Sequence, residues 1–403
     1  MQALEHFPPT RETGLDRLAQ FVPRAGKDYQ TNRNFDLGSG AHDHVSQLSP
    51  YFRTRLVTEE EALRAVLEEH SRSAAGKFID EMFWRTYSKG WLEMRPTVWS
   101  AYKGERDQAW DDVQTQSGLR QEWEAACRGE TGIECFDHWA HELVETGYLH
   151  NHARMWFASI WMFTLRLPWA LGADFFLRHL CDGDPASNTL GWRWVGGLHT
   201  PDKTYLARAS NIRKYTNERF HPKYQLAGEA APVDGTPNPE RMAPPEGDTP
   251  DRERRTVLLL HEDDCAPGWM LEDGPAPVAT ATLDATGGIS HLEPAPHVKA
   301  FRDGALADAV AQHGDVLGPV TYALDSASAI AAWAREHGAE QIVTSYPPVG
   351  PAADIIAGID EVPVIRRLRP FDARAWPYAT AGFFKFKDKI PKLLGALKGV
   401  EVA

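Results

Sequence analysis

Residues 151–194 read NHARMWFASIWMFTLRLPWALGADFFLRHLCDGDPASNTLGWRW. Asn151, Arg154, Met155 and Ala158 stand at i, i+3, i+4 and i+7, so a helix puts all four on one face. Pro168 interrupts the pattern. A second apolar run, Leu171 to Leu180, follows, and then a polar turn sets Asp182, Asp184 and Asn188 just ahead of Trp192 and Trp194. Charged side chains among so many aromatic and aliphatic ones are costly to bury unless they are paired. Two arrangements meet that cost. One is a polar cofactor enclosed by the segment; the other is a core ion pair, Arg154 with Asp182, that needs no ligand.

The chain around this segment has 403 residues, enough for two or three domains. With 25% charged and 42% hydrophobic residues, its composition is that of a soluble globular protein. No apolar run approaches the roughly 20 residues of a membrane span. The N-terminal MQALEHFPPTRETGL has neither the basic nor the apolar region of a signal peptide. Cys127, Cys135, Cys181 and Cys265 lack CxxC spacing, which argues against a disulfide scaffold, a zinc ribbon or a cysteine-held cluster. A cytoplasmic protein is expected.

Net charge is −13, which taken alone disfavours nucleic acid. The charge is uneven, however. Residues 1–226 hold 27 basic and 30 acidic residues, whereas 151–226 hold 10 and 5, so the aromatic segment is the electropositive part of an acidic chain. Eleven of the 14 tryptophans precede residue 195. Because indole N–H groups want partners when buried, this marks a large helical core or a site that uses flat rings.

In order, the pattern predicts helices at Arg11–Phe21, Thr58–His70, Lys77–Trp91 and Gly132–Tyr148, with Thr58 capping Glu59-Glu60-Glu61. Phe78, Glu81, Trp84 and Arg85 share a face of the third. Leu37 to Tyr51 is a Gly/Ser/His loop of the kind whose backbone N–H groups can cradle phosphate. His42 and His44 flank Asp43 there. A pair at i, i+2 can reach one metal ion, but a solvated loop is the simpler reading, and no metal is expected. Residues 1–195 show no strand-like alternation. Residues 227–254 are proline-rich and read as a linker. Beyond them, Arg255–Leu260, Pro277–Leu283, Val320–Leu324 and Gln341–Ser345 read as short buried strands, alternating with helices near 298–313 and 326–337. That alternation implies a small parallel, Rossmann-like α/β domain over 255–403. The chain ends in an aromatic and basic tail, AWPYATAGFFKFKDKIPKLL.

Residues 151–194 with the following GLHTPDKTYLARASNIRKYT, the VSQLSPY loop (45–51) and FIDEMFWR (78–85) closely resemble the FAD-binding half of the DNA photolyase/cryptochrome family. The resemblance covers 1–226. It implies an all-helical FAD-binding domain there and makes FAD the expected cofactor. By similarity, Tyr29 and Val45, Ser46, Gln47, Leu48 and Ser49 would hold the flavin's phosphates and ribose, and Phe78 and Arg85 would flank it. Asn151, Arg154, Asp182, Asp184 and Asn188 would surround the isoalloxazine and adenine, with Asn188 at the flavin N5. Glu81, Trp84, Met155 and Trp194 match positions lining a damaged-base pocket. Trp192 and Trp169 match two members of an electron-transfer chain.

The implied activity is light-driven repair of pyrimidine dimers in DNA. Asn151 and Met155 stand where 6-4 chemistry would place histidines, which points to cyclobutane dimers. The alternative is a blue-light photoreceptor or flavin electron-transfer protein with a protein partner. Some positions depart from the family pattern. Gln116 occupies the place of the third, surface tryptophan, for which Trp110, Trp123, Trp156 or Trp161 could substitute. His152 stands where many repair enzymes carry Arg. The helical part also precedes the α/β part, the reverse of the family order, which implies a circular permutation joined through 227–254. No residue set selects an antenna chromophore.

Overall fold

The computed structural model describes residues 2–201 and 203–397. Among these, every residue up to 195 lies in helices, turns or loops, and no strand occurs before Thr256. Local chemistry sets the helix ends. Thr58 and Glu61 form a reciprocal capping box on Glu59–Glu69. Asp184 caps Pro185–Val195 by accepting from Ser187 N at 2.8 Å, and Pro185 supplies the fixed φ of the first turn. Gly147 closes Glu134–Thr146 at φ +67, and a Cβ there would sit 2.6 Å from Cys181 Sγ. The acidic stretch 100–125, which has little legible pattern, forms two more helices, Thr97–Thr115 and Ser117–Arg128. Asn151–Ser159 runs on into a π-helical turn, Ile160–Thr164.

The α/β part carries five parallel strands: β1 (Thr256–Leu260), β2 (Thr280–Leu283), β3 (Val320–Leu324), β4 (Gln341–Ser345) and β5 (Val364–Arg367), in the order β3-β2-β1-β4-β5. The fifth strand goes beyond the four predicted. β1 is buried on both faces, as a central parallel strand should be. Val257 and Leu259 face a core with Ile330, Trp333 and Ile356. Leu258 and Leu260 face a second core shared with Phe83 and Met82 of the helical part. The two parts are therefore packed face to face. Gly90 permits this, since a Cβ there would lie 2.8 Å from the Trp376 backbone.

Buried ion pairs cross the same junction. Arg53, 2% exposed, donates from Nη1 to Asp263 Oδ1 (2.6 Å), from Nη2 to Glu262 Oε1 (3.0 Å) and from Nε to the Gly183 carbonyl (3.0 Å). Arg55 to Asp372 (2.7 Å) and Arg369 to Glu59 (3.1 Å) cross as well, and Arg302, within the α/β part, also holds Glu262 (2.8 Å). The acids 262–264 follow directly on β1, at the point where strand order reverses between β1 and β4. Open α/β sheets keep their ligand crevice at that point; here Arg53 occupies it.

Residues 231–251 form neither helix nor strand. They run as a strap bonded to both parts. Thr236 N donates to Glu105 (2.7 Å), the Thr236 carbonyl and Asn238 Oδ1 accept from the fully buried Arg193 (2.7 and 3.0 Å), and Met242 N donates to the Met94 carbonyl (2.7 Å). Further on, Asp248 N donates to the Arg366 carbonyl (2.8 Å). Residues 398–403, the end of the predicted α/β span, lie outside the described residues.

Candidate functional site

A cavity of about 620 Å³ opens within the helical part, within the size range of small-molecule and cofactor sites. Three helices contribute most of its wall, with loops and neighbouring helices completing it. Gly76–Glu93 turns Phe78, Glu81, Trp84 and Arg85 into it, as their common face requires. Asn151–Ser159 contributes Asn151, Arg154, Met155 and Ala158, the i, i+3, i+4, i+7 set. Asp182 and Asp184 enter from the polar turn, and Asn188, Trp192 and Trp194 from Pro185–Val195. Val45, Ser46, Gln47, Leu48 and Ser49 close one side, with Tyr29 beside them. Gln47 takes a left-handed φ of +50 and is held by His6 Nε2 at 2.7 Å. Of the residues assigned by resemblance to the cofactor, the damaged-base pocket and the electron-transfer chain, all line the cavity except Trp169.

The wall is polar where charges meet and apolar elsewhere. Arg154 Nη2 donates to Asp182 Oδ2 (2.8 Å), its Nε to the Leu149 carbonyl (2.9 Å), and its guanidinium lies over the Tyr148 ring. The ion pair and the cavity thus coexist, so the two readings of 151–194 are not alternatives. Arg33, whose role was not read from sequence, pairs with Glu81 at 2.6 Å. Burial nonetheless raises the Glu81 carboxyl above its ordinary value, with Arg33 working in the other direction. Lys89, also missed, sits one helical turn beyond Arg85 and reaches Asp184 at 2.9 Å. Its position on the Phe78–Arg85 face was the available signal. Burial opposes charge on Asp184, but Lys89, Arg85 and Arg53 together hold it well below the usual carboxylate range.

Two half-exposed indoles stand at the mouth. Trp84 stacks on Phe383 of the C-terminal segment, with centroids 3.7 Å apart at 12°, and Trp194 stacks on Tyr205 at 5.7 Å. Asn188 Nδ2 donates to the Ala173 carbonyl (2.9 Å), which orients its amide at the wall. Trp192 is buried, packs edge-on to Phe176 and lies over Gly172, one turn along from Trp169. Trp169 donates to Glu105 (2.8 Å) and neighbours Tyr102 (5.7 Å), which neighbours Trp99 (5.2 Å). Gln116 is exposed, and Trp110 pairs with Trp123 on its own.

Residues 78–227 match the family model of the FAD binding domain of DNA photolyase. Over these residues the chain is similar to the DNA photolyase/cryptochrome family. A deoxyribodipyrimidine photo-lyase of Synechococcus is 29% identical over 252 residues, 56% of this chain and 50% of that protein. One from Escherichia coli is 30% identical over 208 residues, 50% of this chain and 42% of that protein. The chain spans about half the length of the curated relatives it matches. Among solved structures, a class III photolyase from Agrobacterium tumefaciens gives a TM-score of 0.44 at 24% identity, over 56% of this chain and 52% of that one.

The cofactor of this photolyase-type domain is FAD, and the wall fits it. Asp182 Oδ1, Arg85 Nη2 and Ser187 Oγ are buried with no hydrogen-bond partner. An unpaired acceptor, cation and hydroxyl suit a ligand with ring N–H, phosphate and ribityl hydroxyl groups. Among the described residues no helix is long and apolar enough to cross a membrane, and all four cysteines are unpaired.

Proposed function

We propose that this chain repairs pyrimidine dimers in DNA by light-driven electron transfer, with FAD in the 620 Å³ cavity. The observation that carries the reading is the convergence of Glu81, Trp84, Met155 and Trp194 on the mouth of the cavity that Arg154, Asp182, Asp184 and Asn188 line. Two flat half-exposed rings and a thioether suit an extruded base pair step. The Glu81 carboxyl, raised by burial, retains a proton more readily than an ordinary glutamate and is placed to donate to a pyrimidine carbonyl. When bound and reduced, FAD supplies the electron that light drives into the lesion. Asn188 is a neutral amide and adds no charge to the wall beside the Arg154–Asp182 pair. We also read the order of the two parts as a circular permutation, with residues 227–254, which contain the strap, as the join.

A second reading, a blue-light receptor without repair, draws on His152. Burial lowers its pKa, it bonds the Asn34 carbonyl (3.0 Å), and it stacks on Trp156 (4.2 Å). It therefore offers DNA phosphate no charge. The test is a single assay. The FAD-loaded, photoreduced protein is illuminated with ultraviolet-damaged oligonucleotide. Loss of dimer absorbance is expected; bound FAD with no loss moves the assignment to the receptor, and a protein that takes up no FAD removes both.

Electrons are expected to reach the cavity through Trp192 and Trp169, with Tyr102 and Trp99 continuing the run in place of the tryptophan absent at 116. Trp192→Phe should slow photoreduction by roughly tenfold or more, the equivalent of about 1.4 kcal/mol of barrier. Trp99→Phe should slow it, while Trp123→Phe should not. A Trp123 effect equal to that of Trp99 would redirect the route to the Trp110–Trp123 pair.

A further inference from the structure

His42 was set aside in the sequence as part of a solvated loop. It is instead buried, 4% exposed, in a cluster with Asp36 and Glu142 that lies behind the cavity wall and outside the cavity itself. His42 Nε2 lies 2.9 Å from Glu142 Oε1. His138, one turn before Glu142 on the same helix face, brings its Nε2 to 3.6 Å from Glu142 Oε2. Both of those last atoms are buried and have no hydrogen-bond partner, and neither has His42 Nδ1. The His42 ring is fixed between Tyr148 (5.4 Å, edge-on) and His150 (5.7 Å, stacked).

The charges are unbalanced in a particular place. Asp36 is satisfied by Trp139 Nε1 (2.9 Å), Gly38 N (3.1 Å) and Arg219 (3.2 Å). The Glu142 carboxylate, in a residue only 5% exposed, is faced by imidazoles alone. A buried carboxylate without a cationic partner is expensive.

We propose that His42, His138 and Glu142 hold a divalent transition-metal cation of the zinc type, with Asp36 behind His42 as the carboxylate that orients its ring. Two imidazoles and one carboxylate form a donor set that such ions favour, leaving a position for water. Ligands about 2.0–2.1 Å from a tetrahedral ion stand roughly 3.3 Å apart. The observed spacings run to different oxygens of Glu142, 2.9 Å from His42 Nε2 to Oε1 and 3.6 Å from His138 Nε2 to Oε2, so the carboxylate stands between the two imidazoles and the half-exposed His138 ring swings towards His42 when both nitrogens take one ion. The side of the ring away from Glu142 also fits. His42 Nδ1 points at Asp36 Oδ1, 3.9 Å away, as metal-bound histidines point their second nitrogen at a carboxylate. His138, with 42% of its side chain exposed, provides the entry path. The ion would tie the 36–44 loop to Glu134–Thr146. That loop continues into Val45–Ser49 and that helix into Tyr148–Asn151, both on the cavity wall.

The test uses the full chain, stripped with a chelator and titrated with Co²⁺ and with Zn²⁺. One equivalent should bind, with visible Co²⁺ absorption of tetrahedral strength that Zn²⁺ displaces. Zn²⁺ should also raise the unfolding temperature. His138→Ala and Glu142→Gln should each weaken binding by about tenfold or more and remove the thermal shift. His141→Ala, on another face of the helix and bonded to the Arg128 carbonyl, should bind as the parent does. Failure of the parent to bind stoichiometrically overturns the proposal, as does parental affinity in His138→Ala. That variant changes a half-exposed ring, so it stands even where Glu142→Gln does not fold.

Discussion

Arg53→Ala is expected to destabilise the protein by about 3–5 kcal/mol and to loosen the cofactor cavity in the same step. The guanidinium is shared by Glu262, Asp263 and the Gly183 carbonyl, all out of solvent. Alanine leaves Arg302 to hold Glu262. Asp263 keeps only Lys89, 4.0 Å away, and His261. Removing one member of a buried ionic group costs far more than the group contributes as a whole, because a charge is left uncompensated. Gly183 lies between Asp182 and Asp184, so the loss reaches the cavity wall through one carbonyl. Urea unfolding and FAD retention on gel filtration measure the two effects. Arg335→Ala, which breaks the exposed pair with Glu361, should cost about 1 kcal/mol or less. Equal effects of the two substitutions would mean that the junction relaxes enough to hydrate Asp263.

Glu93→Gln should stabilise the protein above neutral pH. Glu93 ends the helix that carries Phe78 to Lys89, and it is buried under Tyr346 and Val349. Tyr346 Oη donates to its Oε2 (2.8 Å) and Val349 N to its Oε1 (2.6 Å). Burial pushes its carboxyl up from 4.5 to about 7, against the pull of those two donors. The folded state therefore holds a proton between these values that the unfolded state has lost, and stability falls as pH rises through that window. The cost at pH 8 is on the order of 3 kcal/mol. Gln keeps the acceptor for Val349 N and carries no charge, so its unfolding free energy should lack this decline. The difference between parent and variant at pH 5 and pH 8 isolates the group, since all other titrations are common. Parallel pH profiles would show that Glu93 ionises without penalty in the fold.

The cavity was legible in the sequence because its wall is made by helix faces. Phe78, Glu81 and Arg85, like Asn151, Arg154 and Met155, declare themselves by spacing, and the structure puts each set on the wall. What spacing does not carry is the partner. Arg53 and Asp263 are 210 positions apart, and Glu142 meets His42 across 100. Neither pair leaves a periodic trace. β5 was missed for a related reason. Val364–Arg367 is an edge strand, half exposed, so it tolerates the flanking Pro363 and two arginines that hide a strand signature. Trp169, matched by resemblance to an electron-transfer chain and not to the cofactor wall, lies in the helix core outside the cavity, where its indole bonds Glu105.

The long separation at Arg53 also sets a timetable. A ribosome adds about 5–20 residues per second, so the 210 positions between Arg53 and Asp263 take roughly 10–40 s to make. Over the last 64 of those positions, from His199 to Asp263, the nascent helical part has every wall of its cavity but not the acids that will seat Arg53. The arginine stays hydrated, and Gly183 lacks its donor. The cavity is completed only when the first strand of the sheet and the acids beyond it leave the exit tunnel. In a chain with the α/β part first, the acids would be the group that waits.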